Sequence, residues 1–278
     1  MSRSHAPTGS DDGLRTEEVD AYLQRLNVAP DTIETPDLET LTRLLRAHVH
    51  TVPFETLAIT GDPFGERTGE GVVLSVPYLY EKIVERERGG YCFELNGLFH
   101  ALLNALGYDV HRAAGRMSSA LRIPANHHTN IVTLDRPYVV DVGTGPPTIR
   151  VPVPLDGTPV TDGIGTEWRV VASPRPDASH RIEYRTADES EWQSRFVFND
   201  APRSLHYFKA ANDYLQSAPE SPFTDAPSVT LTTETGYRTL SGETYEEADG
   251  TDRQERTVTG DDWHDLLAQS FGLSYRTD

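Results

Sequence analysis

The 278-residue sequence predicts an α+β fold in three successive parts: helices, then a small antiparallel barrel or sandwich, then a mixed segment. Three observations lead there. Apolar residues keep helical spacing through the first hundred positions. The period switches to two after Tyr108, and both periods return in the last seventy residues.

Taken in order, VDAYLQRLNV between Val19 and Val28 is a short amphipathic helix. Pro36-Asp37 opens a second, LETLTRLLRAHVHTV, with Leu38, Leu41, Leu44, Leu45 and Val49 on one face, and Pro53 stops it. A loop rich in Gly and charge, Gly61 to Gly71, leads to a third helix around Tyr78 to Arg86, which Gly89-Gly90 breaks. In YCFELNGLFHALLNALGY, the residues Leu95, Leu98, Phe99, Leu102, Leu103 and Leu106 predict a helix with one buried stripe, closed by Gly107. The segments DVHRAAGRM, HTNIVTL, PYVVDVG, EWRVVAS, HRIEYRT and EWQSRFVF are short, β-branched or aromatic, and separated by turn residues, as in an antiparallel barrel or sandwich. A short helix near Leu205 to Leu215, strands at Ser228 to Thr233 and Tyr237 to Leu240, and a final helix in DDWHDLLAQSFG complete the chain. The acidic stretch Glu243 to Glu255 reads as a solvated loop. There is no internal repeat.

Forty-three acidic against twenty-five basic side chains give a formal charge of -18, which repels nucleic acid and anionic membrane. Only Lys82 and Lys209 are lysines. An acidic surface almost without lysine predicts adaptation to a saline cytoplasm, where charge is screened over about 3 Å at molar ionic strength; an ordinary acidic protein would need a separate cause for the lysine deficit. No apolar run approaches the ~20 residues of a membrane helix. The N-terminus MSRSHAPTGSDDG lacks the apolar core of a secretory signal, so a cytoplasmic protein with a disordered tail over residues 1–13 is expected. A single cysteine excludes an internal disulfide and a multi-cysteine metal site, and His48, His50, His100 and His111 have no ligand spacing, so no metal is expected. Neither a P-loop nor a Rossmann fingerprint is present.

The chemistry centres on Cys92, two residues after Gly89-Gly90 and in the first turn of a helix. Unpaired N–H groups and the helix dipole favour a thiolate there, and Arg86 and Arg88 push the same way, so a thiol pKa below about 8.5 is expected. A reactive thiol needs a base, and an imidazole needs a carboxylate to orient it. His127 and His128 begin one strand and Asp141 ends the next, and the turn Asp135-Arg136-Pro137 folds them into a hairpin. Strand alternation lets only one of the two histidines face Cys92.

Four segments in order carry a family resemblance. RGGYCFELNG (Arg88 to Gly97) resembles the nucleophile motif of the arylamine N-acetyltransferases. VPFETL (Val52 to Leu57) resembles that family's PFEN segment, VVDVGTG (Val139 to Gly145) its VDVGFG segment, and NDYLQSAPESPF (Asn212 to Phe223) a segment of its third domain. The likeness spans roughly residues 20 to 240. It implies a helical bundle over residues 14–107 carrying the nucleophile, a β-barrel over 108–204 carrying His and Asp, and an α/β lid over 205–278, around a cysteine-protease-like triad. The activity it implies is ping-pong transfer of acetyl from acetyl-CoA, through an acetyl-cysteine, to an aromatic amine or hydrazine. The same triad occurs in papain-like hydrolases and transglutaminases, so a cysteine hydrolase or an amide synthase using another acyl donor is the enzymatic alternative; a binding protein that has lost activity is the non-enzymatic one.

Carried over position by position, the resemblance makes Cys92 the nucleophile and Asp141 the orienting carboxylate. Matching IVTLD (Ile131 to Asp135) without gaps selects His127 as the base, with a turn one residue shorter. Val132 and Leu134 then lie on the opposite, core side, which Asn130 would share. Asn96 resembles the asparagine that braces the aspartate, and Arg88 the family's structural arginine, both as triad support. Phe54 and Met117 fall where the acceptor pocket is lined. Thr144 replaces the aromatic of DVGFG, widening or repolarising that pocket, and Thr56 replaces the asparagine of PFEN. CoA is expected to bind by its pantetheine arm between barrel and lid with few charged contacts, Ser221 offering one polar contact.

Overall fold

The computed structural model describes residues 13–64, 68–120, 122–250 and 252–275. The expected N-terminal tail, apart from Gly13, lies outside them, as does part of the loop from Gly61 to Gly71.

Helix α1 (Thr16–Arg25) buries Val19, Tyr22 and Leu23. Asp37 caps α2 (Leu38–Thr51) by accepting the Thr40 N–H at 2.8 Å, and Leu41, Leu44, Leu45 and Val49 pack inward. Residues Phe54–Glu55 form β1, and Leu57–Thr60 the single turn α3. The third sequence helix starts two residues early, as α4 (Val76–Tyr80), and winds on through a π-turn at Glu81–Glu85. Then comes α5 (Cys92–Ala105), ended by Gly107 at φ +88°. The single buried stripe expected of α5 is too little. Apart from its C-terminal end it is buried all round, Glu94, Asn96 and Gly97 included, because bundle, barrel and lid each pack on one side of it.

The barrel is one antiparallel sheet of eight strands: β2 (Asp109–Met117), β3 (His127–Thr133), β4 (Pro137–Val140), β5 (Val153–Pro154), β6 (Val160–Thr161), β7 (Glu167–Ala172), β8 (His180–Arg185) and β9 (Gln193–Arg203). Their order is β5-β4-β3-β2-β9-β8-β7-β6, and the sheet curls until β5 packs against β7, so the barrel is nearly closed. Ile131, Val139, Val153, Trp168, Ile182 and Phe196 fill its interior.

A helical stretch ending in α6 (Lys209–Leu215) leads to the lid sheet, β10 (Ser228–Thr232), β11 (Gly236–Ser241), β12 (Thr244–Asp249) and β13 (Asp252–Thr257), backed by α7 (Asp261–Phe271). The solvated loop expected at Glu243 to Glu255 is instead the hairpin β12–β13. Its charges pair across strands, Arg253 with Glu246 at 3.0 Å and Arg238 with Glu247 at 2.8 Å, while Tyr245 packs against Phe271. The fifth strand of this sheet is β1, supplied by the N-terminal segment: Phe54 pairs with Thr230 and Glu55 with Val229. The fold is thus the mixed α+β arrangement of bundle, antiparallel barrel and lid.

Candidate active site

Cys92 opens α5 at the point where the three parts meet. Glu94 accepts the Tyr91 N–H at 3.0 Å and so caps the turn that presents the cysteine. Gly89 is required just before it, because a Cβ there would sit 2.1 Å from the Pro53 carbonyl oxygen. Beneath this turn lies a closed ion cluster: Lys82 Nζ to Glu94 at 2.7 Å and to Glu55 at 3.4 Å, and Arg88 to Glu55 at 2.8 Å, with the Arg88 guanidinium over the Tyr275 ring. Burial alone would neutralise Lys82, but the two carboxylates push its pKa up instead. Arg88 therefore acts on the loop before Cys92, through Glu55, and makes no bond to Asp141.

The β3–β4 hairpin brings His127 to Asp141. His127 Nε2 lies 2.6 Å from Asp141 Oδ2. The other carboxylate oxygen accepts from Asn96 Nδ2 at 3.0 Å and from the Gly143 N–H at 2.9 Å. Burial would raise the Asp141 pKa, but the His127 imidazole and these hydrogen bonds hold it below the usual carboxylate range. An ionised carboxylate only accepts, so Nε2 donates to it, and in the neutral imidazole Nδ1 is then the acceptor. Asn96 is tied on every side: its amide also donates to the His128 carbonyl at 2.6 Å, and its oxygen accepts the Val142 N–H at 2.9 Å. Gly143 must be glycine, since a Cβ would lie 2.7 Å from Cys92 Cα and 2.6 Å from Asn96 Nδ2.

His128 points to the other face, as alternation requires, where its ring stacks on Phe208 with centroids 4.6 Å apart. Neither of its nitrogens has a hydrogen-bond partner among the described residues, and burial first, then the charge of Arg112, push its pKa well down. Asn130 shares that face and donates to the Asn96 carbonyl at 3.1 Å.

The Cys92 thiol departs from expectation. Burial and the Asp141 charge push its pKa up, against the backbone N–H groups of His128 and Phe93, which favour the thiolate. The arginines counted on to lower it are spent elsewhere, Arg86 on Glu70 at 2.9 Å and Arg88 on Glu55. Cys92 Sγ lies 3.7 Å from the Asn126 carbonyl oxygen, which a thiol proton would reach.

Cys92 and His127 open onto one cavity of about 260 Å³, which Phe54, Met117 and Thr144 also line. Leu215, Pro222 and Phe223 close it from the lid side, and Ser228 and Thr230 from β10. Asn126, missed in the sequence, holds the loop over this cavity: its side chain accepts the Met117 N–H at 2.9 Å and donates to the Ala120 carbonyl at 2.7 Å. Its only sequence signal is a Pro-Ala-Asn turn before the histidines. Ser221 is no open contact, because its buried hydroxyl donates to the Leu215 carbonyl at 2.5 Å. Among the described residues no group of three or more His, Cys, Asp or Glu could hold a metal ion.

Comparison with known proteins bears on this site directly. Residues 37–278 match the sequence pattern of the N-acetyltransferase family. An arylamine N-acetyltransferase of Mycolicibacterium smegmatis is 31% identical over 235 residues, covering 81% of this chain and 80% of its own. The chain belongs to the arylamine N-acetyltransferase family. The mouse arylamine N-acetyltransferase 2 is 27% identical over 92% of this chain and 94% of its own. Among solved structures of arylamine N-acetyltransferases, that from Mycobacterium abscessus superposes with a TM-score of 0.83 at 29% identity, covering 98% of this chain and 96% of that one. The Bacillus cereus enzyme, described as having a Cys-His-Glu triad, gives 0.82 at 25% identity, over 94% and 100%.

Proposed function

We propose that this chain transfers acetyl from acetyl-CoA to an aromatic amine or hydrazine through an acetyl-Cys92 intermediate. The observation that carries the reading is a hydrogen-bonded His127–Asp141–Asn96 chain whose remaining Nδ1 lone pair serves the cavity that Cys92 also lines. His127 takes the thiol proton as sulfur attacks the thioester, and Asp141 stabilises the imidazolium. The Phe93 and His128 N–H groups hold negative charge near the sulfur. CoA leaves with the proton; the amine then attacks the acetyl-sulfur, gives its proton to His127, and the thiol re-forms. Phe54, Met117, Leu215 and Phe223 give the cavity an apolar side suited to an aromatic ring. Phe54, Met117 and Thr144 are the acceptor-lining residues of this reading, and Asn96 and, at one remove, Arg88 its supports.

We further infer a cytoplasmic protein adapted to high salt. Lys82 is buried in the ion cluster, so Lys209 is the one lysine on the described surface. No described helix is long and apolar enough to cross a membrane.

Acetyl-CoA without amine should add one acetyl group at Cys92, read by intact mass in molar KCl; an unmodified mass refutes the transfer reading. The same sample should melt at a lower temperature in dilute buffer, and an unchanged melting temperature refutes the halophilic one.

A further inference from the structure

The lid sheet ends on β13, which pairs with β12 and with no other described strand, and all six of its residues are exposed. Its backbone phase follows from the bond that the Val258 N–H donates to the Glu243 carbonyl at 2.7 Å, which extends the β12–β13 register by one pair. In an antiparallel ladder every second pair exchanges both hydrogen bonds. Arg256, Gln254 and Asp252 therefore bond to β12, whereas Arg253, Glu255 and Thr257 turn their N–H and C=O groups outward, away from the sheet. The two acids of this strand are poorly matched within the chain, Asp252 lying opposite Asp249 and Glu255 opposite Glu246. Like charges directly opposite are destabilising, and neither acid has an ion-pair partner among the described residues. Arg253 bonds Glu246 at 3.0 Å and the Tyr237 hydroxyl at 2.8 Å, yet its side chain stays 67% exposed. Arg256 lies over the Tyr245 ring, 5.2 Å from its centroid.

An open edge invites strand pairing, and charges along it keep most other chains away. Here the order of the charges selects one partner. Around Gln254, the residues Asp252, Arg253, Glu255 and Arg256 run minus, plus, minus, plus. Laid antiparallel against a second copy, with Gln254 facing the partner's Gln254 on a twofold axis, Arg253 stands opposite the partner's Glu255 and Asp252 opposite the partner's Arg256. All four charged contacts are then of opposite sign. Arg253 and Glu255 are also the residues whose outward N–H and C=O groups meet, so backbone and side chains agree on this register. Sliding one strand by two residues, the smallest step that keeps outward groups facing, puts Arg253 or Glu255 opposite its own copy. The contact is the same patch on both copies, so it closes at two. Strands of six residues run about 20 Å and meet over less than the roughly 1,200 Å² of a standard interface, which makes the pair a weak one. The charge of -18 on each copy opposes association at long range, and molar salt screens it beyond about 3 Å while charges in contact still attract.

We infer that two copies of this chain pair through β13, antiparallel about Gln254, and so join their lid sheets into one. The inference stands apart from the acetyl-transfer reading. Sedimentation velocity in molar KCl, up to millimolar protein, should show a reversible monomer–dimer equilibrium in the unaltered chain. Glu255→Arg relieves the like-charge contact with Glu246 inside the chain but sets the new positive charge against the partner's Arg253. That variant should melt no lower than the unaltered protein and stay monomeric. The register is read by cross-linking in a Cys92→Ala background, which removes the chain's single natural cysteine. Gln254→Cys places the two thiols at a directly opposite, non-hydrogen-bonded pair, with Cα atoms about 4.5 Å apart and within disulfide reach. Thr257→Cys lies three residues off the axis, so its two copies are separated by about 20 Å. Under mild oxidation Gln254→Cys should form the intermolecular disulfide at least about tenfold faster than Thr257→Cys. A monomer at every concentration, a Glu255→Arg variant that dimerises as the unaltered chain does, or equal cross-linking at the two positions overturns the inference.

Discussion

The first turn of α5 has a buried polar assembly on each side. On one, Lys82, Arg88, Glu55 and Glu94 form two cations and two anions in mutual contact. On the other, Asp141 is saturated by His127, Asn96 and Gly143, yet the chain ends on an imidazole nitrogen and a thiol whose hydrogen-bond capacity is hardly used. Both assemblies are out of water. The difference lies in what is left unpaired: the ion cluster leaves only a donor, Arg88 Nε, without a partner and so can only hold its neighbours in place, whereas an imidazole nitrogen and a thiol can accept a proton and attack a carbon.

The sharpest way to break that contrast is at the paired histidines. His127→Gln should lower acetyl-enzyme formation by about three or more orders of magnitude, since the thiol loses its proton acceptor. His128→Leu, replacing a stacked ring with no hydrogen bonds, should retain most of the rate. Burst kinetics with acetyl-CoA check this, and the reverse ranking would move the base to His128.

The closed cluster should respond in stability first. Lys82→Met leaves Glu55 and Glu94 buried with Arg88 as their one remaining cation, a loss of about 3–5 kcal/mol, measurable as a shifted urea midpoint at unchanged m-value. A shift under 1 kcal/mol would mean the cluster is no anchor.

A smaller effect comes from histidines outside both assemblies. Burial, reinforced by Arg25 for His48 and by Arg112 for His100, pushes each pKa down to about 3. Above pH 6.5 each is neutral whether the chain is folded or not. Between there and about pH 3 the unfolded chain binds protons that the folded one refuses, so stability falls with falling pH, by at most roughly 1.4 kcal/mol per unit for each histidine. Melting temperature should decline steadily from pH 6.5 to 4.5 and decline less in His48→Phe; a flat profile would contradict it.

Much of this was legible in the chain because it is periodic. The helix at Leu38–Thr51 and the strand at Asp109–Met117 begin and end where spacing and turn residues say they should. The hairpin β12–β13 was hidden because its sheet-forming signal is cross-strand charge pairing, invisible in a linear run of Glu, Asp and Arg. Two-residue strands such as Val153–Pro154 are too short to carry a period. At the site, Cys92, His127, Asp141 and Asn96 could be found by spacing and resemblance. The state of the thiol could not. Arg86 and Arg88 are its neighbours in sequence, but the carboxylates that claim them, Glu70 and Glu55, are set by the fold.

The strand β1 has a consequence for how the molecule is made. Its hydrogen-bonded neighbours on β10 lie far downstream, Thr56 and Ser228 being 172 residues apart. During synthesis the segment around Phe54 must wait, with its sheet edge unmatched, until nearly the whole chain has left the ribosome. Closing so long a loop sets a high contact order and slows the final step. Phe54 lines the cavity from that same strand, so the cavity wall is completed only in that last step, and a nascent chain can carry Cys92 and its hairpin partners well before the cavity beside them is whole.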